Sequence, residues 1–498
     1  MKTVCGIDLG TQSCKVVVYD YENRKIVAES SAAIEMIAEN DGTREQKAEW
    51  YDAAMKACFD KIDAGIKSSV VALGVSGQQH GLVPLDEAGK PVYNVKLWCD
   101  TSTVKECEEL TAMAGGEAEL IAKAGLPMRP GYTAPKIQWL KNHRPDAFVK
   151  LRHVLLPHDY VNFLLTGEYF AEYGDASGTA LFDVRERKWS SQICKLISPE
   201  LESWLPPLVE ADAVAGKVSQ AAAKLYGIPE GALVSSGGGD NMMSAIGTGT
   251  VRDGSLAMSL GTSGTLFGFS QTPVIDPTGN LAAFCSSTGG WLPLLCTMNC
   301  TVASEEFRAM FGLDLQTFGS EAEKSPVGAE GIIVLPFFHG ERTPNLPNGR
   351  ASINGITAAN FKRENLFRTA FESAIFGMRI GLEGFNELGF KAKEIRLTGG
   401  GSKSQLWRTI AANVMNLPVR IPAGTEAAAM GGAIQALWCF LNNSGTGGGK
   451  VSIADLAEEH VALEGGSTIT PDEKTVAVYD RIYEDYSRYL GAVSPLYR

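Results

Sequence analysis

"GIDLGTQSCKVVVYD" (Gly6–Asp20) and "SLGTSGTLFGF" (Ser259–Phe269) follow one design, and reading them together decides the fold. In the first, Val4–Leu9 is an apolar run with one charge, Asp8, near its end. Gly10-Thr11-Gln12-Ser13 is turn chemistry, and Lys15–Tyr19 returns as a β-branched strand. A glycine-bearing turn between two strands can hold phosphate on its backbone N–H groups. An acid beside that turn can face a magnesium ion, usually through water. By itself the stretch reads equally well as an ordinary hairpin with a chance Asp. The second stretch changes the weighting. Leu-Gly-Thr recurs in the same strand–turn–strand setting, with Gly10 and Gly261 separated by 251 positions in a chain of 498. Two halves that each open on such a hairpin predict a duplicated architecture with a cleft between them.

Outward from the hairpins, strand-like and helix-like segments alternate, which predicts an α/β fold. Ser68–Gly77 reads as a strand ending in glycine. Gly231–Gly249 reads as a strand, a triple-glycine turn and a small-residue helix, and Glu394–Met415 repeats that plan. Ala427–Leu441 reads as a buried helix, close-packed at Gly431-Gly432, and Asn442–Lys450 as a surface loop.

A net charge of −12 argues against a general affinity for nucleic acid or anionic membrane. No stretch reaches the roughly 18 apolar residues of a membrane span, and "MKTVCGIDLG" lacks the apolar run of a signal peptide. Ten cysteines without a CxxC pair, and six histidines without HExxH, argue against zinc and for reduced thiols in a cytoplasm. Cys296 and Cys300 have the spacing of one helix face.

Three clusters carry chemistry. In "GGGDNMMSAIG" (Gly237–Gly247) the glycines leave room for a ligand, and Asp240 follows at a helix start. There it reads either as an N-cap or as a base that the helix dipole keeps ionised, with Asn241 as a second polar group. In "VSGQQHGLVPLD" (Val75–Asp86) Gln78, Gln79 and His80 crowd a glycine-bounded turn. They suit a polyol, or alternatively a buried histidine satisfied by backbone. "LTGGGSKSQLW" (Leu397–Trp407) sets glycines before a helix, which suits phosphate or a flat base. It is not GxGxxG, and no GxxxxGK[ST] occurs. In "FFHGERTPNLPN" (Phe337–Asn348) Glu341 and Arg342 read as a structural ion pair.

In this order and spacing, "GIDLGT", "GGGDN", "SLGTSG", "GERTP", "LTGGGSKSQLW", "YTAPKIQWL" and "INGITAANFKRENLFRTAFE" resemble the FGGY family of carbohydrate kinases over essentially the whole chain. Within it, "GQQHG", "LLPHDYVNFLLTGE" and "GDASGTALFDV" are most similar to the members that phosphorylate D-xylulose. The resemblance implies the actin/Hsp70/hexokinase-type fold, two RNase H-like domains (residues 1–249 and 250–498) around a cleft. It implies ATP and Mg²⁺ as cofactors, a ketopentose as substrate, a cytoplasmic enzyme and a homodimer. It assigns Asp8 to the magnesium side and Thr11, Gln12, Ser13 and Lys15 to the phosphates. Thr262 meets the phosphates from the other side, and Gly400, Gly401 and Ser404 line the adenosine pocket. Gln79, His80, Asp240 and Asn241 hold the sugar, with Asp240 as base. Competing readings are an FGGY kinase acting on ribulose, gluconate, a deoxyketose or glycerol, and an ATP-driven chaperone or filament protein on the same core.

Overall fold

Two mixed sheets organise the chain. The computed structural model describes residues 2–424, 426–445, 450–466 and 468–497, so residues 446–449 of the loop expected at Asn442–Lys450 lie outside the described residues. From one edge, the first sheet runs Lys25–Ala33, Ser13–Asp20, Thr3–Leu9, Val70–Gly77, Leu233–Ser235 and Val214–Lys217. Gly238–Gly239 extends beside the end of Val70–Gly77. The second sheet runs Ala282–Cys285, Trp291–Thr297, Gly264–Gly268, Ser255–Leu260, Glu394–Thr398 and Val419–Arg420. Each sheet has the same centre: three antiparallel strands, then two that run parallel to the first. The duplication legible in the two Leu-Gly-Thr stretches is therefore a duplication of sheet topology.

Both faces of these central strands are buried, with Val4 opposite Ile7 and Leu9 in Thr3–Leu9 and Ala257 opposite Leu256, Met258 and Leu260 in Ser255–Leu260, as strands covered on two sides require. Helix Glu49–Asp60 covers one face of the first sheet, and helix Ala427–Asn443 covers the other. That second cover is backbone against backbone. A Cβ on Gly6 would lie 1.8 Å from the Ala429 carbonyl oxygen, and one on Gly74 would lie 2.1 Å from that of Gly432. Only glycine permits such an approach. The division expected at 249/250 falls between helix Asp240–Thr248 and strand Ser255–Leu260, but helix Ala427–Asn443 crosses it to pack on the first sheet. A mixed apolar cluster including Phe182, Met242, Phe267 and Phe284 joins the halves. Cys296 and Cys300 share no helix. Cys296 lies on the strand Trp291–Thr297, which pairs with Gly264–Gly268, and Cys300 follows it.

Sheet register brings the chemistry together. Asp8 pairs with Ser76 and Leu9 with Gly77, while Gly238 and Gly239 pair with Ser76 and Gly77. The segments Gly10–Ser13, Gln78–His80 and Asp240–Asn241 therefore all leave the carboxyl edge of the parallel strands, where open α/β sheets place ligands.

Candidate active site

Asp8 sits half-buried at this edge and accepts a hydrogen bond from Ser76 Oγ at 2.9 Å. Burial raises its carboxyl above the usual range; Ser76 and Lys15 pull it down, and Glu426 adds to the rise. Among the described residues no three His, Cys, Asp or Glu side chains converge to cage a metal. One carboxylate open to the cleft fits a magnesium ion held chiefly by phosphate oxygens and water.

The turn Gly10–Ser13 is closed by Gly10 N–H donating to Ser13 O at 2.9 Å. Gln12 is exposed and Ser13 half-exposed. The Thr11 hydroxyl is already committed: it donates to Gln78 Oε1 at 3.0 Å and accepts from Trp98 Nε1 at 3.0 Å. Gln46 Nε2 holds the Thr11 carbonyl at 2.7 Å, and its Oε1 takes bonds from Gln78 and Tyr51. Thr11 thus ties the Gly10–Ser13 turn to the Gln78–His80 turn. Lys15 is bonded to Glu426 Oε2 at 2.6 Å, a residue 411 positions away.

Helix Asp240–Thr248 begins at Asp240 itself, with Gly239 as N-cap, so the acid is not the cap. Asn241 locks it to the neighbouring turn. The Asn241 backbone N–H donates to Asp240 Oδ1 at 2.7 Å, and Nδ2 donates to Asp240 Oδ1 at 3.1 Å and to Gln79 Oε1 at 2.6 Å. Gln79 Nε2 reaches Met242 Sδ at 3.0 Å. The expectation that the helix dipole keeps Asp240 fully ionised at neutral pH is corrected. Burial, with the Asp8 and Asp175 carboxylates nearby, pushes its carboxyl up to about 7. A nine-residue helix does not outweigh those three effects. A base poised near working pH is a good proton acceptor that still releases its proton.

His80 is nearly buried and holds a left-handed backbone at φ +60°. Such a conformation costs about 1–3 kcal/mol and persists only when its surroundings enforce it. Its carbonyl accepts from Thr133 Oγ1 at 3.1 Å and Lys136 Nζ at 2.8 Å. Burial lowers the Lys136 ammonium to about 7. Asp175 Oδ1 meets both the His80 N–H, at 3.3 Å, and Nδ1, at 3.1 Å. Tyr132 and Phe284 flank the ring.

In the second half, Gly261 N–H donates to Ser263 O at 3.2 Å, and the Thr262 side chain is exposed. Ser259 pairs with Thr398, so the loop after Glu394–Thr398 adjoins that turn. A Cβ at Gly401 would press on Leu260, whereas one at Gly400 would meet nothing within 4 Å. Gly400 therefore offers bare backbone to the open side. Ser404 accepts from Trp407 N–H at 3.4 Å as cap of helix Gln405–Met415. Glu341 and Arg342 form no side-chain ion pair. Glu341 instead accepts from the N–H groups of Met298 and Arg342 and from Asn299 Nδ2, pinning the loop to the second sheet and leaving Arg342 exposed.

The residues that reasoning from sequence missed are Gln46, Trp98, Lys136, His158, Asp175 and Glu426. Lys136, His158 and Asp175 lie inside the quoted motifs, which was their cue, and Trp98 opens the polar stretch "WCDTST" (Trp98–Thr103); Gln46 and Glu426 had none.

A family model described as the FGGY family of carbohydrate kinases, N-terminal domain, matches residues 3–247, and its C-terminal counterpart matches 256–440. A xylulose kinase of Haemophilus influenzae is 42% identical over 99% of this chain and 99% of its own length. Among solved structures, one from Brucella ovis described as a xyloylose kinase superposes with a TM-score of 0.92, at 28% identity over 99% of this chain and 100% of that one. Xylulose kinase from Bifidobacterium adolescentis superposes with a TM-score of 0.84, at 29% identity over 96% of this chain and 99% of that one. The fold is that of these kinases, and with both family models matched in order along one chain, the protein belongs to the FGGY family of carbohydrate kinases and is an ATP-dependent sugar kinase.

Proposed function

We propose that the protein transfers the γ-phosphoryl group of ATP to the terminal hydroxyl of D-xylulose, giving D-xylulose 5-phosphate. The observation that carries this reading is the hydrogen-bonded set Gln79–Asn241–Asp240 at one cleft edge with His80 and Asp8, in a chain 42% identical throughout to a xylulose kinase.

Phosphoryl transfer asks the protein mainly for positioning and charge neutralisation. Gln79, His80 and Asn241 hold the sugar hydroxyls, and Asp240 accepts the proton of the attacking hydroxyl. Gly10–Ser13 and Thr262 receive the phosphates from opposite halves. Gly400, Gly401 and Ser404 border the adenosine. Asp8 would face a Mg²⁺ ion, which would neutralise charge on the ATP phosphates. Closure of the halves excludes water, which would otherwise accept the phosphoryl group. The ten cysteines are all free thiols, in keeping with a cytoplasmic enzyme, and a homodimer is the assembly the family implies.

A coupled ADP-release assay over D-xylulose, D-ribulose, gluconate, a deoxyketose and glycerol tests the reading. D-Xylulose should give the highest kcat/KM, and a higher value for any other acceptor would replace it.

A further inference from the structure

We propose that Asp175 and His158 act as positioning residues that fix the tautomer of His80, so that its Nε2 offers a lone pair to a hydroxyl of the bound sugar; this rests on the placing of the sugar proposed above. Four buried side chains form a row. His158 Nε2 lies 2.9 Å from Asp159 Oδ1, and His158 Nδ1 donates to Asp175 Oδ2 at 3.0 Å. Asp175 Oδ1 then stands 3.1 Å from His80 Nδ1. His158, Asp159 and Asp175 are almost wholly shielded from solvent.

The charges along the row follow from this order. Each ring nitrogen of His158 faces a carboxylate. Burial opposes a charge there, but Asp159 and Asp175 outweigh it and hold the imidazole protonated well above its ordinary range. Burial likewise disfavours a charged Asp175, yet His158 and His80 overcome it and keep the carboxyl at about 2. An ionised carboxylate only accepts hydrogen bonds. The 3.1 Å contact between His80 Nδ1 and Asp175 Oδ1 lacks hydrogen-bond geometry, but an ionised carboxylate at that distance draws the imidazole proton to Nδ1 rather than to Nε2. Burial lowers the His80 imidazole and keeps it neutral, which leaves Nε2 as an acceptor. No described hydrogen bond uses Nε2.

The surroundings hold both backbone and ring in place. Glu172 accepts from the N–H groups of Gly174 and Asp175 at 2.7 and 2.6 Å, which anchors the short helix Tyr173–Ser177. A Cβ on Gly178 would lie 1.8 Å from His80 Cε1, so that glycine makes room for the ring. Asp159 Oδ2 accepts from Leu156 N–H at 3.0 Å, fixing the start of helix Pro157–Thr166, which carries His158.

Two readouts test the proposal. Long-range ¹H–¹⁵N spectra of ligand-free, [¹⁵N]histidine-labelled protein report the tautomer directly, with His80→Gln assigning the signal. Neutral His80 should carry its proton on Nδ1. Asp175→Asn keeps the shape but can donate to Nδ1, and should move the proton to Nε2. It should raise sugar KM about 10–100-fold by opposing two donors, with ATP KM near wild type, and Asp175→Glu should recover part of the loss. An Nε2–H tautomer in the wild type overturns the proposal even if no Asp175 variant folds, as does a wild-type sugar KM in folded Asp175→Asn. An unchanged sugar KM in His80→Ala, with the Nδ1–H tautomer observed, would instead refute the placing of the sugar, and with it the acceptor role.

Discussion

In the first hairpin Asp8 faces Lys15 across the antiparallel pair and Ser76 across the parallel one. At the matching places in the second, Ser259 faces Thr265 and Thr398. The backbone plan is shared, down to a glycine N–H that closes each turn. The turn itself differs by a residue: Leu9 pairs with Cys14, but Leu260 pairs with Gly264. The two duplicated hairpins thus share a turn closed by a glycine N–H while only the first carries charged side chains. The lesson is that the scaffold and the chemistry duplicate separately. Sheet topology demands only β-forming residues and a turn. A reacting centre needs its acids on one side, where Asp8 also raises the proton affinity of Asp240.

The sharpest break of this asymmetry is Asp240→Asn, which keeps shape and removes the proton acceptor. kcat should fall by ~10²–10⁴, with ATP KM little changed; near-normal turnover in the folded variant removes Asp240 as base. The wild-type pH profile sharpens the same point. Burial, with Asp8 and Asp175 nearby, pushes the Asp240 carboxyl up to about 7 from its ordinary 3.8. Activity that needs the ionised form should therefore fall as pH drops below 7. The sign for stability is opposite. The native state retains a proton that the unfolded chain has lost, so this group's contribution to stability is full at low pH and is lost as pH rises toward 7. Asp240→Asn should consequently melt at a higher temperature than wild type at pH 8, and a lower Tm there would contradict the raised carboxyl.

Asp8→Ser converts the first hairpin toward the second. Loss of a carboxylate that orients a hydrated divalent ion should cost about 10–100-fold in activity and shift the Mg²⁺ activation curve to higher concentration. Sugar KM should move far less. A proportional loss at every Mg²⁺ concentration, with an unmoved midpoint, would detach Asp8 from the metal.

The places of these two acids in the fold were legible in the sequence for a local reason. Asp8 ends a β-branched strand before a glycine turn, and Asp240 follows three glycines at a helix start, so neighbours in the chain announce both. The sheets were legible too, because Leu-Gly-Thr repeats in like settings. What was not legible depends on contacts between distant segments. Asp175 reaches His80 across 95 positions, and Glu426 reaches Lys15 across 411. Nothing near Glu426 marks it as part of the site, and the motif that holds Asp175 does not show which residue it meets. The glycines of Ala427–Leu441 announced close packing, but not that the partners would be Met243 and Gly74 of the other half.

The reverse exchange, Ser259→Asp, should have a smaller effect. The half-buried hydroxyl at this place gives way to a like charge beside the proposed path of the ATP phosphates. ATP KM should rise about 3–10-fold, less at high salt because exposed charges are screened, while sugar KM stays near wild type. An unchanged ATP KM would mean that the second hairpin lies away from the phosphates.

The smallest effect concerns Lys15, whose ammonium is tied to Glu426 with both side chains about one third exposed, at 37% and 31%. An exposed pair of this kind contributes roughly 0–1 kcal/mol, so its loss should shift Tm only slightly. That makes it a clean probe of what the lysine does when ATP is present. If Lys15 leaves Glu426 for the γ-phosphate, Glu426 competes with the nucleotide. Glu426→Gln should then lower ATP KM about two- to threefold, whereas Lys15→Met should raise it. If the pair is only a strap between the first hairpin and the start of helix Ala427–Asn443, both variants should leave ATP KM alone and lower Tm by the same small amount. Opposite signs in the two variants are the expected outcome. Equal silence would leave Asp8 as the first hairpin's sole charged contribution to the site.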